Sequence, residues 1–260
     1  MEDRPSEPKI PAELPPRALV TGGALRVGRT SVLALAELGF AVAIHCRSAR
    51  DAAAALAAEI DAAGGRAVVV RADLADPAAA ASLIGEAETA LGGAIGVLVN
   101  NAATFVADHL VSFDLDRFRR QLAINLEAPL LVAQAFAGAL PAGSSGLIVN
   151  LGDQRTTNPT ARYLGYSISK AGLAMAAAVL ARDLAPRIRV NTIALGLAIA
   201  HAEMDEARYR ELLQATPLRC STSDDEIARA LQLIVRSPSM TGATITLDSG
   251  MGMGWAYPDR

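Results

Sequence analysis

The sequence predicts one α/β domain over residues 17–260, built on a doubly wound, seven-stranded parallel sheet flanked by helices, and three observations predict it. Short runs of β-type apolar residues recur seven times. Longer Ala/Leu/charge segments with helical spacing separate them. After Arg17 no internal repeat and no second shift of composition interrupts this alternation. Strands that are apolar throughout, rather than alternating, are buried on both faces, as in a parallel sheet covered by helices on each side. Right-handed crossovers then wind the sheet outward in both directions.

Taken in order, residues 1–16 hold five prolines and several glutamates without periodicity, which reads as a flexible N-terminal arm. The first strand covers 18–20 and passes through a glycine-rich turn into a helix over 30–38. A second strand over 41–44 is followed by a helix over 51–63, and a third over 67–70 by a helix over 76–91. In that last helix Asp76 is placed as the N-cap and Pro77 at the first helical position. The fourth strand, 97–99, leads to a long helix over about 114–137. The fifth, 147–149, leads to a second long helix over about 163–184. The sixth strand covers 188–194, a charged helical lid 201–214, and the seventh strand 243–247.

Composition narrows the partners. Hydrophobic types make up 52% of the chain and aromatics only 4%, the difference being largely 54 alanines. That is the material of thin, closely packed helices and lacks the aromatic platforms of an RNA binder. With 24 Lys+Arg against 27 Asp+Glu there is no electrostatic footprint for nucleic acid or an anionic membrane. The N-terminus lacks the apolar core of a signal peptide. The longest apolar stretch, 32–46, is broken by Glu37, and no run reaches the ~18 residues of a membrane span. Cys46 and Cys220 read as two free thiols of a reducing compartment. His45, His109 and His201 are scattered and imply no metal. A soluble, cytoplasmic protein is expected.

The turn after the first strand, Thr21-Gly22-Gly23-Ala24-Leu25-Arg26-Val27-Gly28-Arg29, carries the first functional signal. Glycines between a strand and a helix let the backbone approach a phosphate, while the helix N-terminus supplies N–H donors and positive dipole. The spacing is not G-x-G-x-x-G; Arg26 stands where a third glycine is expected and adds a fixed cation. After the second strand comes His45-Cys46-Arg47-Ser48. In dinucleotide-binding sheets an acidic residue here binds the ribose 2′-hydroxyl of NAD, whereas an arginine accommodates the 2′-phosphate of NADP. Arg47 and Ser48 therefore favour NADP(H); an ordinary solvated arginine at a strand end is the bland alternative.

Tyr166 and Lys170 lie four apart at the start of the second long helix, hence on one face. An ammonium there stabilises phenolate and draws the tyrosine pKa of ~10 toward neutrality. Together with the glycine turn, the Asn100-Asn101-Ala102 that ends the fourth strand, Asn125 in the next helix and Asn191 at the sixth strand, this pair resembles the short-chain dehydrogenase/reductase family, over about residues 17–250. The resemblance implies a single Rossmann domain with Tyr166 as general acid, Lys170 as its electrostatic partner and ribose anchor, and Asn125 in a proton relay. It implies cofactor contacts from Thr21, Gly22, Arg26, Val27, Gly28, His45, Arg47, Ser48, Asp73, Leu74, Asn101, Ala102, Tyr166, Lys170, Gly196 and Leu197, with Asp73 at the adenine. It also implies a homotetramer, or a homodimer, assembled through the two long helices. The apolar tail residues Met251, Met253 and Trp255 are read as a patch docking on a neighbouring subunit.

The departures from the family pattern are more informative. Most members carry a serine thirteen residues before the tyrosine; here that residue is Asp153. Reducing a ketone builds negative charge on oxygen, and a carboxylate at ~4 Å opposes that by roughly 4 kcal/mol at an effective dielectric of ~20. Reducing a ring C=N bond places a proton on nitrogen, which a carboxyl group can assist. The Arg26-containing turn, His45 to Ala49, Asn101-Ala102-Ala103-Thr104-Phe105 and the trio Asp153, Tyr166 and Lys170 resemble pteridine reductases and the related dihydromonapterin reductases. In that group the loop arginine reaches cofactor and pterin, and an aromatic at the position of Phe105 stacks the flat pterin against nicotinamide. The implied substrate site is Arg26, Phe105, Asp153 and Tyr166. Ala103 replaces a common serine, and Ala194-Leu195-Gly196-Leu197 lacks the usual P-G. The expected activity is NADPH-dependent reduction of a dihydropterin, such as dihydromonapterin or dihydrobiopterin, to the tetrahydro form, with dihydrofolate as a weaker substrate. A carbonyl or 3-oxoacyl reductase of the same fold is the nearest alternative, and a non-catalytic NADP-sensing protein the more distant one.

Overall fold

The computed structural model describes residue 11, residues 13–198 and residues 205–254. Among the described residues seven strands, β1 (Arg17–Val20), β2 (Ala41–Cys46), β3 (Ala67–Arg71), β4 (Val97–Asn100), β5 (Gly146–Asp153), β6 (Ile188–Leu195) and β7 (Thr244–Leu247), form one sheet in the order β3-β2-β1-β4-β5-β6-β7. Every pairing is parallel. The order reverses between β1 and β4, so a crevice opens beyond their carboxyl ends, the position where such sheets bind ligands.

Alternate residues of each strand feed opposite faces. On one face Val20, Val42, Val97 and Leu147 pack against Val32 and Leu35 of α1 (Arg26–Glu37) and Ile227, Leu231 and Ile234 of α8 (Asp224–Arg236), with α2 (Arg50–Ala62) alongside. On the other, Leu19, Leu98, Ile148 and Val190 meet Leu83 and Ile84 of α3 (Pro77–Leu91), Val132 and Phe136 of α5 (Ala128–Ala139), and Ala177 and Ala181 of α6 (Leu164–Asp183). The Asp76 side chain accepts from the Ala78 N–H with Pro77 in the first turn, as its sequence pattern requires.

Four local features differ from the sequence expectation. The first helix begins at Arg26, inside the glycine turn, four residues before Thr30. The long helix over 114–137 is two helices, α4 (Leu115–Leu122) and α5, joined by one π turn over Ala123–Glu127. The helix α8 was not anticipated, although Ser223 and Glu226 form a reciprocal capping box ahead of its apolar stripe. Part of the expected N-terminal arm is fixed: Leu14 is buried in the core, and the Ser145 N–H donates to the Glu13 carbonyl. Of the lid, residues 201–204 lie outside the described residues, and α7 (Glu206–Ala215) forms the rest.

Against the expectation that no segment reaches membrane-spanning length, Leu115–Ala139 and Leu164–Asp183 are long and apolar enough by length and composition. Both flank the sheet and contribute to its buried core, the setting in which a sheet-covering helix is apolar on its inner side.

Candidate active site

The carboxyl ends of the strands and the loops beyond them enclose a cleft of about 1090 Å³. Its floor begins with the glycine turn. Gly22 has φ +61°, and a Cβ on Gly28 would fall 2.1 Å from the Gly22 carbonyl oxygen and 2.7 Å from Asn101 Nδ2, so only glycine permits this approach of helix to strand. Arg26 opens α1 with φ 52°, a left-handed conformation uncommon for a side-chain-bearing residue. The N-terminus of α1 has no side-chain cap and no acidic residue in its first turn, leaving its N–H donors and dipole directed at the cleft. Arg26 and Val27 line that cleft, and the Arg26 guanidinium is partly desolvated there, which lowers its pKa, while Tyr166 raises it.

Two residues assigned to the cofactor, Thr21 and His45, also hold this turn in shape, and of the two only His45 lines the cleft. Thr21 is buried and does not line the cleft; its Oγ1 accepts from the Asn101 and Ala102 N–H groups, each at 3.0 Å, and donates to Val99 O. His45, only 2% exposed, accepts the Gly22 N–H at Nδ1 (3.0 Å), and its Nε2 lies 3.2 Å from Ala72 O as donor. Burial lowers its pKa, so the ring is a neutral strut between β2 and the turn. Asn101 completes the frame, with Nδ2 donating to the carbonyls of Thr21 and Gly22 at 2.9 and 3.0 Å.

Farther along, Arg47 and Ser48 line the cleft beyond β2, and Arg71 donates to the Arg47 carbonyl at 3.1 Å. Asp73 and Leu74 line the cleft as well; the Ala75 N–H and, secondarily, Arg120 hold the Asp73 carboxyl below its usual pKa. Gly196 and Leu197 close the far side despite the missing P-G. The Gly196 N–H donates to Leu247 O, and a Cβ at Gly196 would meet the Asp248 Cα at 2.6 Å.

β5 runs on to Asp153 and sets its carboxylate against α6. Tyr166 Oη donates to Asp153 Oδ2 at 2.8 Å. Lys170 is buried beneath them; its Nζ donates to the Leu151 carbonyl at 2.7 Å and lies 5.8 Å from the centre of the Tyr166 ring. Burial lowers its pKa to about 8, against the attraction of Asp153. Asn125 occupies the π turn, a distortion that recurs at functional sites. It is buried and outside the cleft lining, clamping Thr104 through Thr104 N–H to Oδ1 (2.8 Å) and Nδ2 to Thr104 O (2.9 Å), with a further bond from Nδ2 to Ser169 Oγ. The geometry makes it a brace for the loop that carries Phe105.

Sequence reasoning missed three residues here. Tyr163, left-handed at φ 68°, stacks on Phe105 with ring centres 4.3 Å apart and 15° between planes, while Tyr166 meets Phe105 edge-on at 4.7 Å. Asp108 anchors the start of α6, accepting the Gly165 N–H on its carboxylate and the Tyr163 N–H on its carbonyl. Arg155 forms an ion pair with Asp153 at 3.2 Å. By the Coulomb law applied above, a cation that close contributes a term of opposite sign and comparable size, ~5 kcal/mol at a dielectric of ~20. The objection to ketone reduction therefore applies to a lone carboxylate, which Asp153 is not.

From the lid side Arg208, Tyr209 and Leu212 of α7 line the cleft, with Tyr209 Oη donating to Ala198 O at 3.2 Å. The tail patch is divided. Met251 is buried and lines the cleft, Met253 is exposed, and Trp255 lies outside the described residues. Asn191 belongs to the frame of β6, bonded to Met240 O and the Ala243 N–H.

Residues 16–211 match the family model for short chain dehydrogenase. Among solved structures, the FolM alternative dihydrofolate reductase 1 of Brucella canis complexed with NADP superposes with a TM-score of 0.90 at 36% identity, covering 95% of this chain and 98% of that one. An uncharacterized oxidoreductase of Mycobacterium tuberculosis is 34% identical over 90% of this chain and 91% of its own length. A 3-oxoacyl-[acyl-carrier-protein] reductase of Synechocystis is 31% identical over 91% and 96%.

Proposed function

This chain belongs to the short-chain dehydrogenase family, and from that premise we propose that it is an NADPH-dependent reductase of pterins, converting a dihydropterin to the tetrahydro form, with dihydrofolate as a weaker substrate. The observation that carries the reading is the Asp153 carboxylate standing 2.8 Å from Tyr166 Oη beside the Phe105 ring. The likeness to a dihydrofolate reductase supports it.

The residues present fit the cofactor: a glycine turn that a Cβ would fill, an uncapped helix N-terminus, Arg26 beside it, and Arg47 where a 2′-phosphate lies in this fold. Lys170, on the cleft side of α6, would anchor the nicotinamide ribose. When bound, NADPH supplies the hydride. Phe105, stacked on Tyr163, lines the cleft and would pack against a flat heterocycle. Asp153 accepts hydrogen bonds from an amino-substituted ring and from the Tyr166 hydroxyl, whose oxygen it holds at the cleft. Tyr166 delivers its proton from Oη to the ring nitrogen, and the buried Lys170 ammonium stabilises the phenolate left behind. Asp108 and Asn125 fix the positions of α6 and the Phe105 loop so that these groups converge.

A second reading, reduction of a 3-oxoacyl thioester, is favoured by the Synechocystis relative and by the Arg155 counter-charge on Asp153. We further propose assembly of identical subunits through the two long helices, on which Ile168, Met175 and Val179 of α6 are exposed. The test of function is loss of NADPH absorbance with dihydromonapterin or dihydrobiopterin, dihydrofolate and an acetoacetyl thioester in parallel. Turnover of a dihydropterin above the thioester is the result expected. Thioester turnover without pterin turnover contradicts the proposal, and NADPH binding with no turnover on any substrate favours a sensor.

A further inference from the structure

We propose that Arg155 is the positioning residue of the Asp153–Tyr166 pair, holding the carboxylate in the orientation that presents Oδ2 to the tyrosyl hydroxyl. The inference rests on reading Asp153 and Tyr166 as the reacting face. Arg155 sits in the 3₁₀ turn Gln154–Thr156 that follows β5 directly. It reaches the carboxylate from two directions: its backbone N–H donates to Oδ1 at 2.8 Å, and Nη1 bridges Oδ1 at 3.2 Å and Oδ2 at 3.3 Å. Tyr166 then takes Oδ2 at 2.8 Å.

An aspartate carboxyl turns about a broad, two-fold torsion, so one hydroxyl donor alone leaves its plane poorly defined. A backbone donor on one oxygen and a guanidinium across both define it. The guanidinium in turn lies 5.3 Å from the centre of the Phe105 ring and 5.2 Å from that of Tyr163, so the aromatic ledge and the carboxylate are tied together by one side chain. The side chains of Arg155 and Asp153 are only 13% and 10% exposed, so loss of the cation would leave a buried carboxylate uncompensated and held by the residue-155 backbone N–H and the Tyr166 hydroxyl alone. Lysine keeps the charge without the planar array of donors and restores part of the arrangement.

The test is a double-mutant cycle on kcat with Arg155→Met, Asp153→Asn and the pair combined. Methionine retains apolar contact with the two rings. The substrate is whichever of dihydropterin, dihydrofolate and acetoacetyl thioester the unmodified protein reduces. In the Asp153 background Arg155→Met should lower kcat about tenfold or more, with the Kd for NADPH within about twofold. Arg155→Lys should recover part of the loss, and Arg155→Met should cost less than about threefold beside Asp153→Asn. Equal losses in both backgrounds, or an unchanged kcat in Arg155→Met, overturn the assignment. Should Arg155→Met fail to fold, Arg155→Lys completes the same cycle. Failure of the pterin reading shows separately, in the substrate preference of the unmodified protein; silence on every substrate overturns both.

Discussion

The carboxylate of Asp153 receives the hydroxyl of Tyr166 at 2.8 Å, from the strand position where most members of this family carry a serine. A serine can donate a hydrogen bond to a reacting carbonyl, whereas an ionised aspartate only accepts. The substitution therefore reverses the polarity of hydrogen bonding offered at this position.

Lys170 should set an upper pH limit on activity and an opposite trend in stability. Burial lowers its pKa from 10.5 to about 8; on the mechanism proposed above the cation beside Tyr166 is lost as pH rises through about 8, and kcat should fall there. The folded pKa is below the unfolded one. Between about 8 and 10.5 the unfolded chain binds more protons, and stability should rise with pH across that window, by on the order of 3 kcal/mol. Lys170→Met should be nearly inactive and should lack this rise. Chemical denaturation of both proteins near neutral pH and near pH ~10 checks it, and parallel curves for the two contradict it.

Gly28→Ala should lose NADPH binding by about a hundredfold and destabilise the fold by about 1–3 kcal/mol, because the added Cβ falls 2.1 Å from the Gly22 carbonyl. Fluorescence titration and thermal unfolding report the two effects; near-normal affinity would mean the turn is not the phosphate cradle.

Arg47→Ala should weaken NADPH by about tenfold or more and leave NADH nearly unaffected, since only the former carries the 2′-phosphate. Equal losses for both cofactors would remove Arg47 from that role.

Phe105→Ala should raise the KM for a dihydropterin by about tenfold, with a smaller change in kcat, because it removes stacking surface and leaves Tyr166 and Asp153 in place. An unchanged KM would show that the ring only packs against Tyr163.

Much of this was legible in the chain. Seven apolar runs specified the sheet, Asp76-Pro77 marked one helix start, and the spacing of Asp153, Tyr166 and Lys170 brought together the side chains that meet in the cleft. What motif spacing does not carry is exposure. Thr21 and Asn125 belong to the pattern, yet both are buried braces, because a strand-end hydroxyl and a π-turn amide are satisfied by backbone before any ligand arrives. Arg155 was invisible because its pairing depends on a 3₁₀ turn directly after β5, and Tyr163 because its place against Phe105 requires a left-handed residue ahead of α6. The capping box of α8 was readable, Ser223 and Glu226 standing three apart before an apolar stripe.

The most direct measurement is steady-state reduction of a dihydropterin by Asp153→Ser, alongside NADPH titration of the same protein. With the carboxylate gone from beside Tyr166, kcat should fall by about a hundredfold while the Kd for NADPH holds within about twofold. A variant that reduces the dihydropterin at the unmodified rate would contradict the central claim.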